Sequence, residues 1–134
     1  GNHVRPARPG NFHAHTTTVY EPYNRDKYKT GENIVFSWSY AVRAGYGQTA
    51  GTQVAGTPIY DDDLPAEGSW KVEIFNGTAL VRTLTNDTSP TVTYSNAALV
   101  SDFGSEPSSF TARLTEVNGE GESDTVTITV TKVT

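Results

Sequence analysis

Residues 110–131 read FTARLTEVNGEGESDTVTITVT, and this stretch decides the fold class. Its apolar residues recur at every second position in two groups: Phe110, Ala112 and Leu114, then Val126, Ile128 and Val130. Alternation with a period of two is typical of strands that bury one face. Between the groups, residues 118–121 (NGEG) favour a turn, because Asn and Gly accept positive φ angles easily. The stretch therefore predicts an antiparallel hairpin.

A second hairpin is predicted around Asn76-Gly77, a pair of residues that strongly favours a two-residue turn between strands. The strand before the turn carries Trp70, Val72 and Ile74 on one face. A tight loop at Asn76-Gly77 would place Ile74 opposite Ala79 and Val72 opposite Val81. Both pairs are apolar, so this register is consistent with one buried face.

Further strands are expected upstream and between the hairpins. Residues 34–40 (IVFSWSY) place four large side chains on one face, which must be largely buried: Ile34, Phe36, Trp38 and Tyr40. Residues 91–94 form another short strand, and residues 11–18 form an edge strand. Residues 96–100 are compatible with one helical turn. About seven strands and no long amphipathic helix predict an all-β sandwich with Greek-key connections.

The composition of the chain argues against several classes of function. The net charge of −5 argues against a nucleic-acid surface and against binding to an anionic membrane, and no apolar run is long enough to cross a bilayer. The chain has no Cys, so the fold does not depend on disulfides. It also has no Met, which indicates a piece of a longer protein. We expect residues 1–8 to be a tail or linker and residues 9–134 to be one domain.

The order of these elements resembles a fibronectin type III domain, an immunoglobulin-like sandwich. Trp38 matches the core Trp of the second strand, and Asn118, Gly121 and Ser123 match the Asn-x-x-Gly-x-Ser of the last turn. Phe110 stands where the family usually has Tyr, so this side chain carries no hydroxyl for a tyrosine corner. The resemblance implies seven strands with a long insertion between the second and the third.

A narrower resemblance covers residues 4–123. It rests on five segments in a characteristic order: RPARPGNF (5–12), FSWSY (36–40), WKVEI (70–74), VRTLT (81–85) and DFG (102–104). Together they look like the fibronectin-type domains of tail-tip host-specificity (hub) proteins of bacteriophages and gene transfer agents. The resemblance implies a structural virion component at the tail tip, with other tail-tip proteins or domains, a host-surface receptor or a glycan as partners. The Gly- and Thr-rich residues 44–58 depart from that pattern.

Two long segments are the places where recognition is expected, because long loops in compact domains are usually functional. One connects the Trp38 strand to the Trp70 strand over residues 41–69, and the other spans residues 19–29. They supply a candidate binding surface: Tyr20, Tyr23, Tyr28, Tyr46, Tyr60, Asp61 and Asp62. Tyrosines in loops offer a large contact area at low entropic cost. The alternative is that several of them cap the open ends of the sandwich.

Metal-binding and catalytic patterns are weak. His13 and His15 would share one strand face, where two imidazoles could begin a Zn²⁺ site, but two exposed edge-strand histidines are the better explanation. The consecutive residues Asp61, Asp62 and Asp63 lack the alternate spacing of a calcium loop. No strained Gly-x-Ser-x-Gly turn and no phosphate loop is present. We therefore expect no metal, no cofactor and no catalytic site.

Two functional hypotheses follow. The first is a non-catalytic structural or interaction module of a phage tail tip, located in the virion. The second is a carbohydrate-binding or adhesion module of a secreted bacterial protein, located outside the cell. They differ in genetic context more than in chemistry.

Overall fold

Two β-sheets packed face to face make up most of the computed structural model, which describes residues 8–18, 25–43, 58–60, 69–118 and 121–133. The strands are β1 Gly10–His15, β2 Lys27–Lys29, β3 Ile34–Ser39, β4 Ala41–Arg43, β5 Pro58–Tyr60, β6 Ser69–Asn76, β7 Ala79–Asn86, β8 Thr91–Tyr94, β9 Ser109–Asn118, β10 Gly121–Glu122 and β11 Val126–Val133. One helix, α1, spans Asn96–Phe103 between β8 and β9. No helix in these ranges is long and apolar enough to cross a membrane.

The smaller sheet has the order β1-β3-β8 and is antiparallel. The larger sheet has the order β2-β11-β9-β6-β7, with β10 attached to β9. All of its pairings are antiparallel except that of β2 with β11, which is parallel. A separate two-stranded ribbon pairs β4 with β5. The predicted all-β sandwich is confirmed.

The core lies between the facing sides of the two sheets, as the alternation predicts. Ile34 and Phe36 are fully buried, and Trp38 is only 3% exposed. Across the interface, Trp70, Val72 and Ile74 of β6 are buried as well. The rings of Trp38 and Trp70 meet edge to face with centroids 5.6 Å apart, so Trp38 packs against the opposite sheet, as predicted.

The predicted terminal hairpin is confirmed, with β9 and β11 antiparallel and Val126 opposite Leu114. Ser123, which matches the last turn of the fibronectin-like pattern, lies in the segment between β9 and β11. Its hydroxyl accepts a hydrogen bond from the buried Glu116 amide at 3.0 Å, and its own amide donates to the Glu116 carbonyl at 2.8 Å. A buried backbone group that would otherwise lack a partner is thus satisfied.

The register predicted for the second hairpin is wrong. Asn76 pairs with Ala79, so the turn residues are Gly77 and Thr78, and Gly77 has φ +63°. A bulge then adds one residue to β7, and Ile74 lies opposite Arg82. The same shift places Leu84, rather than Val81, opposite Val72. Because a one-residue shift exchanges the two faces of a strand, the bulge keeps Leu84 against the core and leaves Thr83 exposed.

Helix α1 is longer than the single turn expected at residues 96–100. Ser95 caps its first turn by accepting a hydrogen bond from the Ala98 amide at 3.1 Å. Gly104 ends it in the left-handed conformation at φ +82°, with its amide bonded to the Val100 carbonyl. Leu99 is the fully buried residue that fixes the helix to the core.

The segment of residues 19–29, expected to be a connection, contributes strand β2. β2 lies at one margin of the larger sheet beside β11. Just before it, Asp26 forms two hydrogen bonds with Ala14 of β1, each of 2.9 Å. The predicted edge strand at residues 11–18 is confirmed as β1, and Asp26 ties it to the other sheet.

Candidate functional site

Three aromatic residues form the base from which the long connection leaves the sandwich. Trp38 and Tyr40 come at the end of β3, directly before the connection, and Trp70 comes directly after it on β6. The ring centroids of Tyr40 and Trp70 are 5.2 Å apart, and those of Trp38 and Trp70 are 5.6 Å apart. All three side chains are at least 95% buried. Both ends of the connection are therefore anchored in the core.

The ribbon of β4 and β5 extends directly from this base. Ala41 pairs with Tyr60, Val42 with Ile59 and Arg43 with Pro58. Paired strands hold their backbones about 5 Å apart, so the ribbon brings the two ends of residues 44–57 together. The β4–β5 ribbon is thus a paired stem at the two ends of residues 44–57.

The sequence-predicted surface residues divide into three groups. Tyr60 lies on strand β5 of the ribbon, opposite Ala41. Tyr20, Tyr23, Tyr46, Asp61 and Asp62 lie outside the described residues, as does Asp63. Tyr28 is fully buried and belongs to the core, so its assignment to a binding surface is wrong.

Tyr28 has a structural role that explains its burial. It lies on β2 with its ring beside that of Phe110, at a centroid distance of 6.0 Å. Its hydroxyl donates a hydrogen bond to the Pro107 carbonyl, three residues before Phe110. Burial, with a smaller effect from the charge of Glu106, raises the pKa of Tyr28 to about 12, so the hydroxyl keeps its proton. Tyr28 supplies the tyrosine hydroxyl that Phe110 lacks.

Glu106 is a polar centre that the sequence analysis missed. Its carboxylate accepts hydrogen bonds from the Thr30 hydroxyl, from the Gly31 amide at 2.8 Å and from the Asn96 side chain at 2.7 Å. Lys132 of β11 lies 3.2 Å away. These four donors, with Thr30 the strongest, lower the pKa of Glu106 to about 2. Nothing in its own sequence surroundings marks this residue, because its partners come from three distant segments.

A second polar cluster joins β7, β8 and α1. Arg82 makes a bidentate ion pair with Asp102, at 2.6 and 3.0 Å, and the Tyr94 hydroxyl donates to Asp102 at 2.6 Å. The hydrogen bonds from Arg82 are the main cause that holds the pKa of Asp102 below its ordinary value. Burial raises the pKa of Tyr94, with Asp102 adding to the shift. These contacts tie β7 and β8 to α1.

The two histidines share one face of β1, as expected, but the expectation that both are exposed is wrong for His13, which is buried. Their rings stack with centroids 6.0 Å apart and planes 22° apart. Nδ1 of His13 lies 2.7 Å from the Asn11 carbonyl oxygen. Within the described ranges, no group of three or more His, Asp or Glu side chains is arranged to hold a metal ion.

Comparison with known proteins assigns neither a family nor a function to this chain. No protein-family model matches the chain, and no curated protein matches its sequence.

Proposed function

We propose that this chain is a non-catalytic interaction module of a phage tail-tip protein, which spaces or presents a host-recognition surface. The observation that carries the proposal is the paired stem of β4 and β5, rooted in the buried cluster of Trp38, Tyr40 and Trp70. It makes the insertion between β3 and β6 the feature best suited to contact a partner.

The physical reason is the cost of ordering a binding loop. A loop whose ends are already fixed loses less conformational freedom when it meets a partner, so more of the contact energy appears as affinity. The stem pairs residues 43 and 58, and β4 follows the buried Tyr40 directly in the chain.

The connectivity supports assignment to the fibronectin type III or immunoglobulin-like group. Within the part of the chain that the structure describes, seven strands have four or more residues: β1, β3, β6, β7, β8, β9 and β11. The first, second and fifth of these form one sheet, while the third, fourth, sixth and seventh lie together in the other. Two such antiparallel sheets with long connections between them are typical of that group.

The test replaces residues 44–57 with a short Gly-Ser linker and measures binding to host cells and to a glycan array. We expect the intact domain to bind and the replaced variant to lose at least about tenfold in affinity, a change of about 1.4 kcal/mol. The matched control is Asp87→Ser, an exposed change in the turn between β7 and β8, which should leave binding unchanged. Binding retained by the replaced variant would refute a recognition role for the insertion.

The sequence of the parent gene distinguishes the carbohydrate-binding alternative from the tail-tip proposal. A tail-hub gene containing this segment supports the proposal, with the virion as its location. A glycoside hydrolase or adhesin region in the same gene supports the alternative and an extracellular location.

A further inference from the structure

The tip of the β6–β7 hairpin carries an asparagine followed by a glycine in an exposed turn. Asn76, Gly77 and Thr78 are all exposed. Asn76 is the last residue of β6 and pairs with Ala79, the first residue of β7, so this pair closes the hairpin. Gly77 has φ +63°, and a Cβ atom there would have no neighbour within 4 Å. The space around the turn is therefore open.

Hydrogen bonding separates Asn76 from other asparagines of the chain. Among the residues that the structure describes, neither the Asn76 side-chain amide nor the Gly77 backbone N–H takes part in a hydrogen bond. By contrast, the Asn86 side chain makes hydrogen bonds of 2.8 and 2.9 Å with the backbone of its own loop. The Asn96 side chain donates to Glu106 at 2.7 Å. Hydrogen bonds therefore oppose rotation of Asn86 and Asn96, whereas none restrains the side chain of Asn76.

An asparagine in this setting can lose its side-chain amide without an enzyme. The Gly77 backbone nitrogen gives up its proton and attacks Cγ of Asn76, and the new C–N bond closes a five-membered ring. The bond from Cγ to the side-chain nitrogen breaks, and ammonia leaves with the proton. Water then opens this succinimide at Cγ to give aspartate, or at the main-chain carbonyl to give isoaspartate. Because the reacting atoms belong to adjacent residues, the first step is intramolecular and needs no bound partner.

The end of this hairpin can open without disturbing the rest of the sheet. Attack requires the Asn76 backbone to leave its extended conformation, so the pair of residues 76 and 79 must open. Only this pair and the pair of residues 75 and 80 lie between the turn and the bulge in β7. Short terminal pairings of this kind open at low free-energy cost. Gly77 adds no Cβ that would block the approach, and glycine tolerates the change in its φ angle.

We propose that Asn76 is a site of spontaneous deamidation, with water as the co-reactant and aspartate and isoaspartate as the products. Each product adds one negative charge to a chain whose net charge is −5. Isoaspartate also lengthens the main chain by one methylene group at the last residue of β6, so the regular pairing of residues 76 and 79 is lost. This inference is independent of the proposed function.

The test incubates the whole folded chain at mildly alkaline pH and follows tryptic peptides by liquid chromatography and mass spectrometry. Cleavage after lysine and arginine puts Asn76 in peptide 72–82, and it puts Asn86 and Asn96 in peptide 83–113. We expect two new forms of peptide 72–82, each with the mass of an amide converted to an acid. Co-elution with synthetic aspartate and isoaspartate peptides identifies them. Peptide 83–113 should react at least about tenfold more slowly.

A parallel incubation in guanidinium chloride measures how far the folded hairpin protects Asn76. We expect the rate in the folded chain to lie within about tenfold of the rate in the unfolded chain, because only the end of the hairpin has to open. Asn76→Gln should remove the new forms, since glutamine would have to close a larger ring. Thr78→Ala, the matched control in the same turn, should react like the original chain.

Two results would overturn the proposal. One is a folded chain in which peptide 72–82 stays unchanged, and the other is reaction at Asn86 or Asn96 as fast as at Asn76. The second Asn-Gly pair of the sequence, residues 118–119, falls in peptide 114–132 and contributes to neither signal.

Discussion

At the scale of single residues, Glu106 and Tyr28 connect separate segments of the chain, a role that their residue types alone do not indicate. Glu106 links the β2–β3 turn through Gly31, the start of α1 through Asn96 and strand β11 through Lys132. Tyr28 reaches the adjacent Pro107 carbonyl from β2. The hydrogen bonds to the Glu106 carboxylate involve a charge and are therefore stronger than neutral ones. The two residues therefore hold together segments that lie far apart in the chain.

Glu106 should make the stability of the domain depend on pH in the acid range. Its pKa falls from an ordinary value of 4.5 to about 2 in the folded chain, so its stabilising effect is complete above 4.5. The effect is lost as pH falls from 4.5 towards 2, because over this interval the unfolded chain binds a proton at Glu106 more readily than the folded chain does. We expect Glu106→Gln to be less stable than the original chain at neutral pH, with the difference shrinking over that interval.

Urea unfolding at several pH values measures this effect. The control is Glu122→Gln, which removes a 54% exposed partner of Lys71 and should change stability little, since exposed ion pairs are weak. A Glu106→Gln deficit that stays constant down to pH 2 would contradict the assignment.

Trp38 should be the residue whose truncation the domain tolerates least. Trp38→Ala removes a side chain that is 3% exposed and contacts both Phe12 and Trp70, and it should cost about 3–5 kcal/mol. Denaturant unfolding gives this free energy. Trp38→Phe should cost clearly less, because the indole N–H has no hydrogen-bond partner among the described residues and its removal breaks none. Equal losses in both variants would contradict packing as the cause.

At the scale of elements, the β6–β7 hairpin shows how a turn and a bulge together fix a register. The turn at Gly77 and Thr78 would, by itself, place Val72 opposite Thr83 and turn Leu84 away from the core. The extra residue in β7 corrects this and aligns Val72 with Leu84. Arg82 is thereby placed on the inner side of the strand, where it reaches Asp102 of α1. The bulge thus positions both the apolar contact and the ion pair.

Gly77→Ala should destabilise this hairpin by about 1 kcal/mol, because a side chain at φ +63° is strained. A Cβ atom at this position would meet no other atom within 4 Å, so the cost comes from the backbone alone. Thermal or denaturant unfolding measures the difference, and Thr78→Ala in the same turn is the control, with an expected change of less than about 0.5 kcal/mol. A neutral Gly77→Ala would indicate a different turn.

At the scale of the whole molecule, we expect the sandwich and the long connection to be energetically separable. The described strands of the two sheets supply the apolar core, with Phe36, Trp38, Trp70 and Val72 all buried. Replacement of residues 44–57 by a short linker should therefore change the free energy of unfolding by less than about 1 kcal/mol, since closure entropy varies only logarithmically with loop length. The stem of β4 and β5 stays intact in this variant. Unfolding of the variant would mean that residues 44–57 belong to the fold.

The sequence by itself determined the main strands β3, β6, β9 and β11 and the faces that they bury. Apolar residues recur at every second position in residues 34–40, 70–74 and 126–130, and this pattern is visible in the local sequence. A half-buried strand can place the apolar residues of such a stretch on one face only, the buried one. The capping residues Ser95 and Gly104 likewise mark helix α1, although the sequence analysis expected only a single turn there. Burial of Trp38 against the opposite sheet was predictable for the same reason.

Only the tertiary structure decided how these segments meet. The bulge in β7, the parallel pairing of β2 with β11 and the burial of Tyr28 depend on partners that are distant in the chain. The donors around Glu106 come from residues 30–31, 96 and 132, and no local pattern records them. The alternation of residues along a strand determines which face of the sheet each side chain occupies. The packing of the whole chain determines which other strands lie beside it.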